Sequence, residues 1–232
     1  MNPLGIIFLV ILLTCAWQGY VRGLFRSLLT VVAIILAMVL SSFACPYVSK
    51  ALQDYTKLDE QFENYIVEQL ELDLSQETNT KNEQMQFIDE LPFPDAIKMA
   101  VVNNNNSDIY NDFQVQRFQE YVAHYLSYMV VNSLAFVIIQ VTLTVGFLVI
   151  LHVTKWLTSV PIIHGIDKTG GILLGMLQTL AIIWSLYVAI SLFGNTPLGM
   201  TAFEQISNSP VLNFLYEHNL IMDTITNVTN VL

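Results

Sequence analysis

Residues 1–21, 27–49, 121–154 and 169–203 carry no Asp, Glu, Lys or Arg and are dominated by Ile, Leu, Val, Ala, Phe and Met. Each window reaches the roughly 20 residues that a helix needs to cross a bilayer. No strand alternation and no internal repeat is present. The pattern predicts an all-α membrane protein with four transmembrane helices, at about residues 2–18, 24–47, 125–153 and 171–193. The third exceeds what ~30 Å of hydrocarbon requires, which predicts tilt or protrusion.

Between the second and third spans the pattern changes. Leu58, Phe62, Ile66 and Leu70 recur every four residues among acids, which predicts an amphipathic helix, possible as a continuation of span two. Residues 73–84 are polar and read as a linker. Leu91-Pro92-Phe93-Pro94 interrupts any helix before a short one at 95–102, and Asn103 to Asn106 mark a loop. Phe113, Phe118, Tyr121, Val122 and Tyr125 then form an apolar stripe expected to run unbroken into span three. After span four, Ser209 and Pro210 stand as N-cap and first residue of a predicted amphipathic helix at 209–217. The expected organisation is spans one and two (1–47), an acidic helical insert (48–124), spans three and four (125–193) and an amphipathic tail (194–232).

Charge sets the orientation. Arg22 and Arg26 lie in the first short loop and Lys155, Asp167 and Lys168 in the third, whereas residues 48–124 hold 5 basic and 15 acidic residues and the tail has no Lys or Arg. The positive-inside rule then places both short loops in the cytoplasm and the insert, tail and both termini outside it. The first apolar stretch is followed rather than preceded by its arginines, the reverse of a signal peptide, and reads as a retained anchor. A net charge of −10 excludes nucleic acid as an expected partner, because phosphate binding needs clustered Lys and Arg. Cys15 and Cys45 fall at opposite ends of antiparallel spans, too far apart for a disulfide, and are expected as free thiols.

The chain is poor in reactive groups. His124, His152, His164 and His218 fall in separate segments without metal-ligand spacing, and no phosphate loop or nucleophile elbow occurs. No carboxylate lies inside a predicted span, which removes intramembrane aspartyl hydrolysis and weakens ion-coupled pumping. The expectation is a non-enzyme without metal or cofactor. The spans do contain a stripe. At 100° per residue, Gly171, Gly175, Gln178, Ile182, Ser185 and Ala189 share an arc of about 80°. Such small and neutral polar residues let helices approach in lipid, so packing is the plain reading and a water-filled pathway the sharper one.

Two loop motifs stand out. Gly19-Tyr20-Val21-Arg22-Gly23-Leu24-Phe25-Arg26 reads as a tight turn with positive-inside anchors. Asp167-Lys168-Thr169-Gly170-Gly171 leads into span four, where Asp167 could cap the helix or pair with Arg22 or Arg26. In this order the two motifs resemble the colicin V production protein family, also called CvpA. Gly19, Tyr20, Arg22, Gly23, Leu24 and Arg26 match its Gly-Tyr-Arg-Arg-Gly-Leu-Ile-Arg-like turn, and Asp167, Lys168, Gly171 and Gly175 match its Asp-Arg-x-x-Gly-x-x-x-Gly-like opening of the last span. Val21 replaces the first arginine of that turn, and Gly5 stands where the family often has an acid.

The resemblance implies a multi-pass protein of the bacterial cytoplasmic (inner) membrane that supports production or export of a bacteriocin toxin. The expected function is therefore non-enzymatic support of toxin production and envelope homeostasis, with the lipid bilayer and protein partners, or further copies of the chain, as its contacts. The alternative is an oligomeric channel or an accessory subunit of a transporter.

Overall fold

A computed structural model describes residues 2–75, 80–153, 164–191, 193, 194 and 196–222. All its regular elements among these residues are helices: α1 (Pro3–Tyr55), α2 (Leu58–Gln69), α3 (Lys81–Glu90), α4 (Asp95–Asn103), α5 (Ser107–Phe113), α6 (Phe118–Val153), α7 (His164–Ser191), α8 (Pro197–Ser207) and α9 (Pro210–Glu217). Three of them, α1, α6 and the 167–191 part of α7, are long and apolar enough to cross a membrane.

The first two predicted spans run together as α1, but the helix does not run straight. Asn2 caps its start by accepting from the Leu4 and Gly5 N–H groups, with Pro3 in the first turn. At Gly23 the backbone takes φ 80° and ψ 173°, outside any helix. Ser27 Oγ then donates to the Gly19 carbonyl at 3.4 Å. In a straight helix, residues eight apart are separated by about 12 Å, so the chain has reversed direction. α1 is thus two arms, residues 3–22 and 24–55. Going backwards from Gly19 to Cys15 along the first arm matches going forwards from Gly171 to Gly175, so that arm is antiparallel to α7. The second arm runs parallel to α7, from Leu24 beside Gly170 to Ile34 beside Ile182.

The second arm also packs antiparallel on α6. The Cys45 thiol donates to the Asn132 carbonyl at 3.3 Å, and Ser49 Oγ bonds Asn132 Oδ1. Cys15 and Cys45 are both free and buried. α6 changes character along its length. From Phe118 to Phe136 nearly every residue is buried, with Tyr121, Tyr125, Leu126 and Phe136 fully enclosed, whereas none of residues 141–153 is buried.

The buried half is enclosed by the insert. α2 lies on it through Ser127 Oγ donating to the Asp59 carbonyl (2.7 Å) and His124 Nδ1 against Glu63 Oε2 (3.0 Å). Ile66, Ile88, Ile97, Val101 and Ile109 complete a core around Tyr121, whose hydroxyl donates to the Val101 carbonyl at 2.6 Å. From the other side α9 adds Leu212 and Tyr216, and the Trp184 Nε1–H and Tyr187 hydroxyl of α7 donate to the Leu215 and Leu212 carbonyls.

Several boundaries differ from the sequence expectation. α2 does not continue α1, because Thr56 is extended (φ −131°, ψ 147°) and closes the helix through its N–H to the Leu52 carbonyl. The polar 73–84 segment is not all linker. Thr80 and Glu83 form a reciprocal capping box that starts α3 at Lys81, while 76–79 lie outside the described residues. The aromatic stripe is broken between Phe113 and Phe118, where Gln114 ends α5 in the left-handed region (φ 56°). α5 and α8 were not expected. Asn106 caps α5, accepting from Asp108 and Ile109 N–H. Thr196-Pro197 starts α8 with the same hydroxyl-proline signal that Ser209-Pro210 gives for α9. Ser209 occupies the N-cap position of α9 but makes no side-chain cap bond. α7 begins at His164, ahead of the expected Gly171, and Lys155 and Pro161 lie outside the described residues.

Candidate functional site

The two motifs noted in the sequence meet in space. Gly19 and Gly23 belong to the end of the first arm, Gly171 and Gly175 to the start of the membrane-crossing part of α7, and all four are buried. Side chains are excluded here by backbone. A Cβ at Gly19 would overlap the Gly171 carbonyl, one at Gly171 would overlap the Gly19 carbonyl, and one at Gly175 would overlap the Cys15 carbonyl. Glycine is the only residue that permits this approach, which in lipid gives dispersion contact where no hydrophobic force drives helices together.

Asp167 closes the turn. The Leu24 backbone N–H donates to Asp167 Oδ1 at 2.7 Å. Leu24 opens the second arm of α1, so the carboxylate satisfies an orphan N–H at that helix start and sits at its positive dipole end. A Cβ at Gly23 would run into the same carboxylate. Gly23 therefore answers two demands, a positive φ and room for the acid. The sequence offered Asp167 as a cap for its own helix or a partner for Arg22 or Arg26. It instead caps another helix, and among the described residues it forms no ion pair with either arginine.

Lys168 lies across Tyr20, with Nζ 3.4 Å from the phenol oxygen and 5.0 Å from the ring centroid. Trp17, with its ring 5.9 Å from Tyr20, extends the aromatic surface. Arg22, Arg26 and Lys168 are exposed at this end of the bundle, the arrangement of an interfacial aromatic belt with snorkelling cations.

Away from the glycines the stripe does not stay on the buried face. Gln178 is half-buried and has no hydrogen-bond partner among the described residues. Thr179 is the buried neighbour, 1% exposed, its hydroxyl donating to the Gly175 carbonyl at 3.2 Å. Thr179 continues the four-residue ladder from Gly171 and Gly175, and the buried face winds around α7 instead of following a fixed 100° arc. Ile182, Ser185 and Ala189 instead face a lateral groove of about 280 Å³ between α7, α6 and Ile34 of the second arm. Among the described residues no three His, Cys, Asp or Glu side chains converge as metal ligands.

The family model of the colicin V production protein matches residues 4–70 and 113–219. The chain belongs to that family. No curated protein and no solved structure matches it. The matched segments hold α1, α2, α6 and α7, and with them every residue of the glycine clasp. The unmatched 71–112 contains α3, α4 and nearly all of α5. The matched segments also hold α8 and α9.

Proposed function

We propose that this colicin V production family member is a non-enzymatic protein of the bacterial cytoplasmic membrane that supports production or export of a bacteriocin toxin and envelope homeostasis through helix and partner contacts. In this reading α1 crosses the bilayer twice, turning at Gly23, so the chain has four spans. The Arg22, Arg26 and Lys168 end faces the cytoplasm, and the insert, the tail and both termini lie outside. The observation that carries the reading is the Asp167 to Leu24 contact. The conspicuous acid of the family motif is engaged in holding the helical hairpin of α1 on α7, a structural task.

The runner-up is an oligomeric channel or transporter subunit. The aliphatic walls of the groove do not favour a conducting pathway. Toxin yield from producing cells lacking the gene, complemented with wild type or Gly175→Leu, tests the leading reading. Equal yield with and without the wild-type gene would reject it. Conductance across liposomes containing only the purified protein would establish the channel. Topology is tested with single cysteines placed in a background lacking Cys15 and Cys45. A cysteine at exposed Ser75 should react with a membrane-impermeant thiol reagent in intact spheroplasts. Reaction only after lysis would invert the orientation.

A further inference from the structure

We infer that α8 and α9 form a re-entrant unit in the outer leaflet, with the free face of α9 seated at the boundary between phospholipid headgroups and acyl chains. The membrane-crossing part of α7 ends at Ser191, whose Oγ meets Ser133 Oγ of α6 at 2.9 Å. That level is the outer edge of the hydrocarbon on two counts. A span takes about 20 residues, and counted from Gly171 at the Lys168 end they finish at Ile190. On the second arm of α1, Phe43 and Tyr47 flank the Cys45 that bonds Asn132, and they are 73% and 79% exposed, as the aromatics of an interfacial belt are.

From that edge α8 leads back inward. Its far end is tied to the start of α1, where the Leu4 N–H donates to Gln205 Oε1 at 3.1 Å and Asn2 Nδ2 donates to the Gln205 carbonyl. Carrying the pairing of Gly19 with Gly171 and Cys15 with Gly175 up the first arm sets Leu4 level with Leu186. Leu186 lies roughly 7 to 8 Å inside Ser191 along the helix. α9 is held at the same depth. Trp184 Nε1–H and the Tyr187 hydroxyl donate to the Leu215 and Leu212 carbonyls, and Asn219 Nδ2 donates to the backbone carbonyl of Trp184 at 3.1 Å. Trp184 is about 10 Å inside Ser191 and Tyr187 about 6 Å. An amphipathic helix resting in an interface sinks its apolar face about 5 to 10 Å, the same range.

What α9 turns away from the bundle suits that depth. Leu212 and Tyr216 are buried against the protein, whereas Val211 and Phe214 are 58% and 57% exposed. No charged residue occurs from Gln205 to Tyr216. The turn between the helices carries little backbone that needs water, because the Asn208 and Ser209 N–H groups bond back to the Glu204 and Ile206 carbonyls (3.0 and 3.1 Å) and Pro210 has no N–H. After Phe193 the chain contains Glu204, Glu217 and Asp223 and no Lys or Arg, so attraction to anionic headgroups cannot hold this unit and its apolar face must.

This placement rests on the membrane-spanning reading of α1, α6 and α7, and the test separates the two. The full chain, with Cys15→Ala and Cys45→Ser, is reconstituted in vesicles of phosphatidylethanolamine and phosphatidylglycerol. It carries one nitroxide at a time, on Val211→Cys, Phe214→Cys, Ser75→Cys of the insert or Val145→Cys, an exposed position within the α6 span. Depth is read as the ratio of collisions with oxygen, which partitions into hydrocarbon, to collisions with a water-soluble nickel chelate. At 211 and 214 the ratio should exceed that at Ser75 severalfold and stay below that at Val145, and replacing phosphatidylglycerol by phosphatidylcholine should not move it. A ratio at 214 equal to that at Ser75, or one that falls when phosphatidylglycerol is removed, would overturn the placement while Val145 still reports the spans. Dipolar broadening between the 214 labels of two chains would overturn it in favour of a second copy. A nitroxide at Val145 as open to nickel as that at Ser75 would overturn the spans and the placement together. Should the cysteine-free background not fold, the wild-type chain is photolysed in the same vesicles with a phospholipid carrying a diazirine high on its acyl chain. Label on residues 210–217 is then expected, and its absence overturns the placement.

Discussion

The two ends of α7 use similar residues for opposite purposes. At Gly171 and Gly175 the absence of side chains brings backbone against backbone, and the acid one turn earlier locks the reversal of α1 in place. At Ile182, Ser185 and Ala189 the same helical stripe lines an open groove instead. Small residues in a membrane helix therefore mark permission for close approach rather than the approach itself. What decides is whether the neighbouring chain supplies a matching small surface. The first arm of α1 does, with Cys15 and Gly19. α6 does not, because Val137, Val141 and Val145 keep it at a distance.

The largest effect expected is at the clasp. Gly175→Leu forces a branched side chain into the Cys15 carbonyl, and overpacking of this kind costs about 1 to 3 kcal/mol, occasionally more. Because the obstruction is backbone and cannot rotate away, the upper end is expected, seen as a lowered melting transition in detergent. Met176→Leu, one residue along at a site 45% exposed, should stay within roughly 0.5 kcal/mol. Equal transitions for the two would mean that the glycines are not in backbone contact.

Asp167 should come next. Asp167→Ala removes the acceptor of a helix-start N–H, a loss worth about 0.5 to 2 kcal/mol. Asp167→Asn keeps an oxygen at the same place and should recover most of the stability. A variant Asn as damaging as Ala would show that the negative charge, rather than the cap, is what the motif requires.

These residues show how far the sequence was readable. Charge-free windows located the long helices because lipid tolerates few ionised groups, and the glycine and Asp167 motifs were visible as motifs. Their mutual contact was not. Asp167 is 143 positions from Leu24, and nothing local distinguishes a carboxylate that caps its own helix from one that caps another. The reversal inside α1 was legible as a Gly-rich turn, but that the missing Cβ at Gly23 also makes room for a residue contributed from far along the chain was not. α5, with seven residues, is too short to show a periodicity, and only its Asn106 cap announces it. α8 was legible at Thr196-Pro197 by the rule that located α9.

At the groove end, Gln140→Leu should leave stability unchanged or raise it by up to about 1 kcal/mol. The substitution removes a buried acceptor without a partner, whose desolvation is uncompensated, at the loss of one weak 3.4 Å bond to Thr144. A clear destabilisation in the same melting assay would mean that Gln140 is satisfied across the groove by a polar occupant, and the contrast between the two ends of α7 would narrow.

The smallest effect is expected from two serines that look alike in sequence and differ in what they bond. Ser185 donates to the Ala181 carbonyl one turn earlier, a local bond whose loss leaves an acceptor already engaged by its own helix. Ser133 and Ser191 share a bond of 2.9 Å between α6 and α7, the polar contact that holds these helices together where the groove closes. Ser185→Ala should therefore fall within roughly 0.5 kcal/mol of wild type, the range of substitutions that break no tertiary contact. Ser133→Ala should cost about 0.5 to 1.5 kcal/mol, the net worth of one hydrogen bond between elements. The size of each loss matters less than their order, which follows from where each hydroxyl points. Measured side by side in one detergent, a Ser185→Ala loss equal to or larger than that of Ser133→Ala would show that the Ser185 stretch of α7 is in polar contact with a neighbour, so that the groove end and the clasp end are packed alike.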